Sequence, residues 1–349
     1  MALETVDFLT FPLSLFFHQL PRILNLPEAL PQSILASSPK EASKKRDATI
    51  MTFPSTGKVV LRTNLADHPV TKALKDGSIR SDLVEFDFAG PKVANQGFKP
   101  MVREGAFTAG ELAIATYIQA KAWGKKLIAL PAPIVSRTQH HTIAYNANHG
   151  PMTPKDLEGK KVGIRAYSVT TVMWVRGILQ HDYGVDLSKI HWITVEDPHV
   201  AEFIDPANCT RVKPGQTLEQ LLADGEVAAA VLGDKFPDVP GFTYLFADPN
   251  VSAKAWMAKN AIPVPINHIF CVHADLPKER PDVVAEAYRM LAEANAAAPE
   301  AAAKMAPFGV EPNRKSLQMA LDFCFEQGLV PQKMTVDDLF DDVTRKLGA

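Results

Sequence analysis

Short runs of alternating hydrophobic and polar residues, typical of strands, recur along the chain between longer runs with helical spacing. From Lys58 onward this rhythm predicts strands and short helices in turn. The first predicted elements are the strands 59–63, 84–88, 111–115 and 127–130 and the helices 71–74 and 117–123. Because strands that alternate with helices pair in parallel through helical crossovers, the pattern predicts a mainly parallel sheet with helices on both faces.

A second group of elements begins near Thr153. A short helix over 153–159 precedes the predicted strand 161–165, and a longer helix over 170–183 stops at Gly184, as glycine often ends a helix. The remaining predicted elements are the strands 190–194, 227–232 and 266–272 and the helices 217–224, 281–298, 315–327 and 336–347.

This order of elements predicts two α/β lobes, the second inserted in the first. We assign residues 55–147 and 265–349 to lobe 1 and residues 148–264 to lobe 2. Residues 1–50 are set aside as an amino-terminal extension and linker. Two lobes joined by two crossings leave a cleft between them, and such clefts bind small molecules.

Charge and composition narrow the class of protein. The 349 residues include 37 Lys and Arg against 39 Asp and Glu, a formal charge of −2, so no basic surface for nucleic acid or an anionic membrane is expected. Cys209, Cys271 and Cys324 are too few and too far apart for a disulfide framework or a zinc ribbon. We expect them to be buried residues or free thiols in a reducing compartment.

The amino-terminal apolar run 8–17 does not predict a membrane span. It is too short to cross a bilayer, and Pro12 interrupts it. Glu4 and Asp7 precede it where a secretory signal would carry basic residues. We therefore expect a cytoplasmic protein with no membrane partner, and leave the role of residues 1–50 open.

The most informative stretch runs from the end of a predicted strand into the predicted helix at 170. It contains Arg165, Tyr167, Ser168, Thr170 and Thr171. A helix amino terminus offers unpaired N–H groups and a partial positive charge, and arginine adds a fork that matches a carboxylate. Helix capping by one hydroxyl is the alternative, but it leaves the crowding of the other groups unexplained. We therefore predict an anion-binding turn.

Histidines supply the second candidate group. Arg137, His140 and His141 stand where the first lobe ends, and His268 lies on the second crossing. Adjacent residues of a strand point to opposite faces, so only one of the two neighbouring histidines can readily face the cleft. No metal-binding spacing such as HExxH supports a metal site. A structural hydrogen bond is the competing interpretation for each histidine.

Several common enzyme signatures are missing from the sequence. There is no GxGxxG, GxxxxGK[ST], GxSxG or CxxC. Their absence argues against a dinucleotide-dependent enzyme, a P-loop NTPase and an α/β-hydrolase.

Four runs of sequence together resemble a known family. They are Gly159–Arg165, Thr170–Leu179, Ala132–Arg137 with His141, and Pro265–His268. In these runs the chain is similar to the 4,5-dihydroxyphthalate decarboxylase family, over roughly Lys58 to Leu291. It differs from the family at His140, where the family has a second arginine, and at Arg165-Ala-Tyr167, where the family has Pro-Glu-Tyr.

The resemblance implies a fold and an activity. The fold is a two-lobed, type II periplasmic-binding-protein-like α/β fold, with mixed, mainly parallel sheets flanked by helices and a ligand cleft between the lobes. The activity is the non-oxidative conversion of 4,5-dihydroxyphthalate, or a related hydroxylated aromatic acid, to protocatechuate and carbon dioxide in aromatic catabolism. No organic cofactor is implied, a divalent metal is left open, and so is assembly into a homo-oligomer.

The resemblance and the residues together suggest roles for the candidates. Arg165 and the helix amino terminus would anchor the retained carboxylate, with Tyr167, Ser168, Thr170 and Thr171 beside them. His141 or His268 would be the general acid, and Arg137 would offset negative charge. Glu111 and His140 complete the candidate substrate-binding set.

Two alternatives stay open. A solute-binding protein of an ABC-type transporter that recognises a small carboxylate would have the same lobes and the same turn, since fold does not settle function. Such a receptor needs an export signal, which the amino terminus does not show. An enzyme of pyrimidine or menaquinone synthesis on the same fold would lack the Trp174–Arg176 run of the predicted helix.

Overall fold

The structure, a computed structural model, describes residues 53–348 except Lys235 and Ala306. The predicted extension over residues 1–50 lies outside the described residues. Within the described ranges, the strands are β1 (Val59–Asn64), β2 (Val84–Asp87), β3 (Ala109–Ala113), β4 (Leu127–Ser136), β5 (Ile143–Asn146), β6 (Lys161–Ile164), β7 (His191–Thr194), β8 (Cys209–Arg211), β9 (Ala229–Val231), β10 (Phe242–Tyr244) and β11 (Ile266–His273).

The helices of the same residues pack around these strands. They are α1 (Lys72–Lys75), α2 (Phe98–Glu104), α3 (Ile114–Ala122), α4 (Thr170–Tyr183), α5 (Leu218–Ala223), α6 (Pro249–Asn260), α7 (Leu276–Glu279), α8 (Pro281–Ala296), α9 (Glu300–Met305) and α10 (Arg314–Glu326). No helix in this part of the chain combines the length and the apolar character that a membrane crossing requires.

The strands form two mixed sheets. The first has the order β2-β1-β3-β11-β4, and the second has the order β10-β5-β9-β6-β7-β8. In the first sheet, β1 is parallel to β2 and β3, whereas β11 is antiparallel to β3 and β4. In the second, β6 is parallel to β7 and β9, β7 is parallel to β8, and β5 is antiparallel to β9 and β10. Two mixed sheets with flanking helices confirm the predicted fold class, although parallel strand pairs outnumber antiparallel ones only in the second sheet.

Burial along the strands follows their position in the sheets. The edge strand β2 buries Val84 and Phe86 and exposes Glu85 and Asp87, the alternation of a strand with one covered face. The central strand β3 is buried at all five positions, as expected where helices cover both faces of a sheet. A charged residue inside β3, such as Glu111, therefore needs partners in the protein interior.

Helix α4 has the bounds that the sequence predicts, Thr170–Tyr183, and ends at Gly184 with a left-handed φ of 61°. The face of α4 that packs against α10 has a glycine, Gly177, at the contact. A Cβ atom at Gly177 would lie 2.0 Å from the ring of Phe323. Glycine at this position therefore allows the two helices to approach closely.

The two crossings between the sheets run side by side. The Arg137 N–H donates to the Pro265 carbonyl over 3.0 Å. The side chain of Gln139 donates to Asn267 Oδ1 over 2.7 Å, and the Trp174 indole donates to the Ile266 carbonyl over 3.0 Å. Strand β5, within the residues that the sequence analysis assigned to lobe 1, pairs in the second sheet because the chain has already crossed at Arg137.

The carboxy-terminal segment differs from the prediction. The expected helix over 336–347 is replaced by two 3₁₀ turns, Val336–Leu339 and Thr344–Lys346. Between them, Asp341 Oδ1 accepts the N–H groups of Val343 and Thr344 over 3.0 and 2.7 Å. A carboxylate that bonds nearby backbone groups competes with the helical hydrogen bonds, so the helix does not form.

Candidate active site

A cavity of about 760 Å³ opens between the two sheets, and half of the candidate residues line it. Its volume suits a small organic ligand. One wall comes from the start of α4 and the residues after β6, and the facing wall comes from β11 and the segments after β1 and β2. The sequence candidates that line the cavity are Arg137, Arg165, Thr170, Thr171 and His268.

Arg137 lies on the α4 side of the cavity and is held by two partners. It donates to Thr171 Oγ1 over 2.9 Å and pairs with Asp234 Oδ1 at 3.0 Å. Burial alone would raise the pKa of Asp234, but the charge of Arg137 and a hydrogen bond from His141 hold this pKa below its usual value. The pair thus stays ionised, with the guanidinium fixed against the helix start.

Arg165 follows β6 and is less constrained. Its Nε lies 3.8 Å from Glu196 Oε2, beyond ordinary hydrogen-bond length. Its side chain is 28% exposed and that of Glu196 is 44% exposed. Arg165 therefore keeps donors free for an anionic ligand, which would compete with Glu196 for the guanidinium.

The start of α4 forms the floor between these two arginines. Residues Val169–Val172 line the cavity, so the first N–H groups of a 14-residue helix open on it. The N-cap residue, Val169, has no side-chain group that could cap this terminus. The hydroxyl of Thr170 instead accepts the Ala115 N–H over 3.0 Å, which ties α4 to α3 and leaves the helix terminus available for an anion.

Two residues of the predicted anion-binding turn lie away from the cavity. Tyr167 and Ser168 are 7% and 1% exposed and do not line it. The Tyr167 ring packs beneath the guanidinium of Arg176, 3.5 Å from the ring centroid. Arg176 is fully buried and donates to Gln327. Residues 167 and 168 face inward because the chain turns between β6 and α4, so they support the turn from behind.

The facing wall carries two imidazoles on one carboxylate. His268 Nδ1 lies 2.6 Å from Glu111 Oε2, and His68 Nε2 lies 2.9 Å from Glu111 Oε1 and 3.1 Å from Oε2. The Ala66 N–H donates to Glu111 Oε1 over 2.7 Å. We call His68, Glu111 and His268 the imidazole–carboxylate cluster. Both imidazoles line the cavity, and the Phe98 ring packs edge-on against His268.

Glu111 itself does not line the cavity, although the sequence analysis placed it among the candidate substrate-binding residues. Its side chain is fully buried. Burial alone would raise the pKa of Glu111, but the hydrogen bonds from His268 and His68 hold it well below its usual value. Glu111 is therefore a buried anion that contacts both imidazoles and fixes their orientation.

His68 was missed by the sequence reasoning. It follows β1, while Glu111 lies in β3 and His268 in β11. The order β1-β3-β11 makes these strands neighbours, although 157 residues separate Glu111 from His268. The position of His68 just after a predicted strand, where parallel strands place ligand-binding residues, was the available signal.

The two adjacent histidines also lie outside the cavity lining. His141 Nε2 lies 3.2 Å from Asp234 Oδ1, so it supports the partner of Arg137. His140 is 1% exposed and packs against Phe246 and Trp256. Burial lowers the pKa of His140 to about 4, so it is neutral at physiological pH. The structure therefore places neither histidine on the cavity surface.

The cluster also has the donor set of a metal site. One ligand atom each of His68, Glu111 and His268 lies within 4.8 Å of the others. Two imidazoles and one carboxylate suit a first-row divalent ion. However, the 2.6 Å between His268 and Glu111 is the length of a hydrogen bond. A metal ion here would compete with the imidazole protons for the same atoms.

Two curated proteins are similar to this chain in sequence. It is 29% identical over 239 residues to a 4,5-dihydroxyphthalate decarboxylase of Comamonas testosteroni, covering 64% of this chain and 71% of that protein. It is 30% identical over 201 residues to a 4,5-dihydroxyphthalate decarboxylase of Pseudomonas putida, covering 53% of this chain and 76% of that protein. No family model matches the sequence.

Solved structures with the same fold are more distant in sequence. The alkanesulfonate-binding protein SsuA of Xanthomonas axonopodis pv. citri aligns with a TM-score of 0.53 at 14% identity, over 83% of this chain and 99% of that one. The aliphatic sulphonate-binding protein SsuA of Escherichia coli aligns with a TM-score of 0.52 at 13% identity, over 80% and 97%. These likenesses establish the periplasmic-binding-protein fold.

Proposed function

Since this chain belongs to the 4,5-dihydroxyphthalate decarboxylase family, we propose that it is a carboxy-lyase that releases carbon dioxide from a hydroxylated aromatic acid. The observation that carries the proposal is the arrangement of one cavity. An anion-binding helix terminus with Arg137 and Arg165 forms one wall, and the imidazole–carboxylate cluster forms the other. Decarboxylation needs an anchor for an anion and a proton source, and these two walls supply both.

The substrate that we propose is 4,5-dihydroxyphthalate, and the products are protocatechuate and carbon dioxide. A hydroxyl para to one carboxylate can push electrons into the ring once it is ionised. The ring carbon that bears this carboxylate can then be protonated. No organic cofactor is needed to hold the electrons, because the ring and its hydroxyl oxygen hold them.

The carboxylate that stays on the ring would be anchored by the start of α4. The free N–H groups there and the Arg165 guanidinium are donors that favour an anion. Arg137, held by Thr171 and Asp234, would offset the negative charge that builds up as the ring ionises. This binding mode would place the ring itself against the facing wall.

His268 would be the proton donor of the reaction. Its Nδ1 is engaged by Glu111, so Nε2 is the nitrogen left for the substrate. The Nε2 proton moves to the ring carbon that bears the departing carboxylate. The bond between this ring carbon and the carboxylate carbon then breaks. Its electron pair returns to the ring, and carbon dioxide leaves. A positioned general acid of this kind accelerates a reaction by about 10²–10⁴-fold.

The deciding experiment incubates the purified protein with 4,5-dihydroxyphthalate and measures carbon dioxide and protocatechuate. We expect equal amounts of the two products, and we expect His268→Asn to bind the substrate but form neither. Release of carbon dioxide only from another hydroxylated aromatic acid would support carboxy-lyase activity but contradict the proposed substrate. Tight binding without any product would favour the solute-binding alternative and refute the proposal.

A further inference from the structure

We propose that His68 is a second catalytic residue, the base that ionises the substrate hydroxyl, and that Glu111 couples it to the proton donor His268. This inference rests on the proposed function and deepens it. It assigns the electron-releasing half of the reaction, which needs a proton removed from oxygen, to a residue that no motif indicates.

The first support is the position of the free ring nitrogens. His68 uses Nε2 and His268 uses Nδ1 to contact Glu111. Because an ionised carboxylate only accepts hydrogen bonds, each imidazole carries its proton on the nitrogen that faces Glu111. Within the described part of the chain, Nδ1 of His68 and Nε2 of His268 have no hydrogen-bond partner, and both side chains line the cavity. Two nitrogens on one wall are thus left for one ligand.

The second support is the charge balance of the imidazole–carboxylate cluster. Glu111 is fully buried and holds one negative charge. One carboxylate balances one imidazolium, whereas a second would add like-charge repulsion on the same wall. The balanced state holds one protonated and one neutral imidazole. A neutral imidazole beside a protonated one is the pairing that removes one proton and delivers another.

With these roles, the protons taken up and released in one turnover balance. His68 Nδ1 takes the proton of the hydroxyl para to the departing carboxylate, and His268 Nε2 protonates the ring carbon that bears it. Loss of carbon dioxide restores the aromatic ring as a phenolate, which takes its proton back from His68. His268 regains a proton from water, so each turnover consumes one proton, as replacement of a carboxylate by hydrogen requires.

The third support is the free-energy cost of desolvating the imidazole–carboxylate cluster. A carboxylate and two imidazoles in the protein interior are expensive to desolvate unless all are paired. His68 and His268 each pair one nitrogen and direct the side chain to the cavity, at 22% and 23% exposure, which is the disposition of reacting groups.

The experiment uses substitutions that keep one contact and delete the other. In His68→Gln, the amide nitrogen takes the place of Nε2 and keeps the contact with Glu111, but Nδ1 is lost. In His268→Asn, the amide takes the place of Nδ1, and Nε2 is lost. His191→Gln, on β7 beside Thr210, is the matched control away from the cavity. Circular dichroism and thermal unfolding establish that each variant is folded, and His68→Asn replaces His68→Gln if the latter is not.

The readout is the near-ultraviolet absorption of bound 4,5-dihydroxyphthalate, which shifts to longer wavelength when a hydroxyl ionises. We expect His268→Asn to hold the ionised substrate without releasing carbon dioxide. The double variant His68→Gln/His268→Asn should bind the substrate without the shift. The single variant His68→Gln should lose about 10²–10⁴-fold in kcat and recover part of it as the pH rises, because the substrate then ionises in solution.

Three results would overturn the inference. One is the same spectral shift in His268→Asn and the double variant, and another is a His68→Gln enzyme as fast as the wild type. The third is wild-type turnover that needs added Zn²⁺ or Mn²⁺ after chelator treatment, because a metal would then replace the shared protons. In each case wild-type carbon dioxide release still supports the proposed function, whereas a wild-type protein without turnover refutes both.

Discussion

His268 and Glu111 meet across neighbouring antiparallel strands, with His268 Nδ1 2.6 Å from Glu111 Oε2. Glu111 is fully buried, whereas His268 lines the cavity. The contact therefore connects the interior of the first sheet to the ligand-binding surface. It fixes the ring orientation of His268 and decides which of its nitrogens a substrate can meet.

Removing the charge of Glu111 should reduce catalysis more than substrate binding. In Glu111→Gln the carboxamide keeps the shape but not the anion that orients both imidazoles. We expect kcat to fall about 10²–10⁴-fold, the range for loss of a well-placed acid–base group, with a smaller change in KM. Steady-state kinetics measure both, and Glu85→Gln on the exposed side of β2 is the control. A Glu111→Gln enzyme with wild-type kcat contradicts the orienting role.

Loss of Arg165 should weaken substrate binding. Arg165→Gln removes a charged donor beside the start of α4, and such hydrogen bonds contribute about 1.5–3 kcal/mol. We therefore expect KM, or Kd in a variant without turnover, to rise about ten- to hundredfold. Arg289→Gln, whose side chain bonds Glu286 and Glu293 on α8, is the control and should bind normally. Unchanged affinity in Arg165→Gln means that the carboxylate is anchored elsewhere.

Neutralising Glu196 should have the opposite effect. Its Oε2 lies 3.8 Å from Arg165 Nε, and its side chain is exposed, so it competes with an anionic ligand at little cost to stability. We expect Glu196→Gln to lower Kd for the substrate about two- to fivefold, measured by calorimetry at low salt. Because salt screens exposed charges, the gain should shrink in 0.5 M sodium chloride. Weaker binding would show that Glu196 contacts the ligand favourably.

The buried His140 should make stability depend on pH. Burial lowers its pKa from 6.5 to about 4, so below pH 6.5 the unfolded chain binds a proton that the folded chain does not. The free energy of unfolding should therefore fall as the pH drops from about 6.5 to 4, by roughly 3 kcal/mol from this group alone.

Urea unfolding at pH 7 and pH 5 measures this dependence. In His140→Phe, the free energy of unfolding should depend less on pH. The part of the dependence that comes from the buried His199 should remain, because burial lowers the pKa of His199 to about 3. His191→Gln is the control. An equal pH dependence in His140→Phe and the wild type would contradict the assignment.

A side chain at Gly177 should separate α4 from α10. In Gly177→Ala the new methyl group would meet the Phe323 ring. Overpacking of this kind costs about 1–3 kcal/mol, more than the gain of about 1 kcal/mol in helix propensity. Urea unfolding should show a net loss of stability, and Phe323→Leu in the same chain should restore part of it. A more stable Gly177→Ala protein would mean that the helices shift apart freely.

Local patterns in the sequence determined the elements and their order. The bounds of α4 follow from helical spacing and a glycine stop, and most strands follow from short apolar runs, because these signals need no knowledge of distant residues. The same patterns located the start of α4, Arg137 and Arg165, since residues between a strand and a helix gather at one edge of a sheet. The prediction of a helix over 336–347 was wrong, because the Asp341 carboxylate accepts hydrogen bonds from the backbone N–H groups of Val343 and Thr344.

Only the tertiary structure decided which side chains reach the cavity. Tyr167 and Ser168 face inward, His140 is enclosed by Phe246 and Trp256, and His141 supports Asp234. Glu111 became the partner of His68 and His268 because β1, β3 and β11 are neighbours in one sheet. Side-chain direction and the pairing of distant strands depend on contacts across the whole fold, and a single sequence read along its length does not contain them.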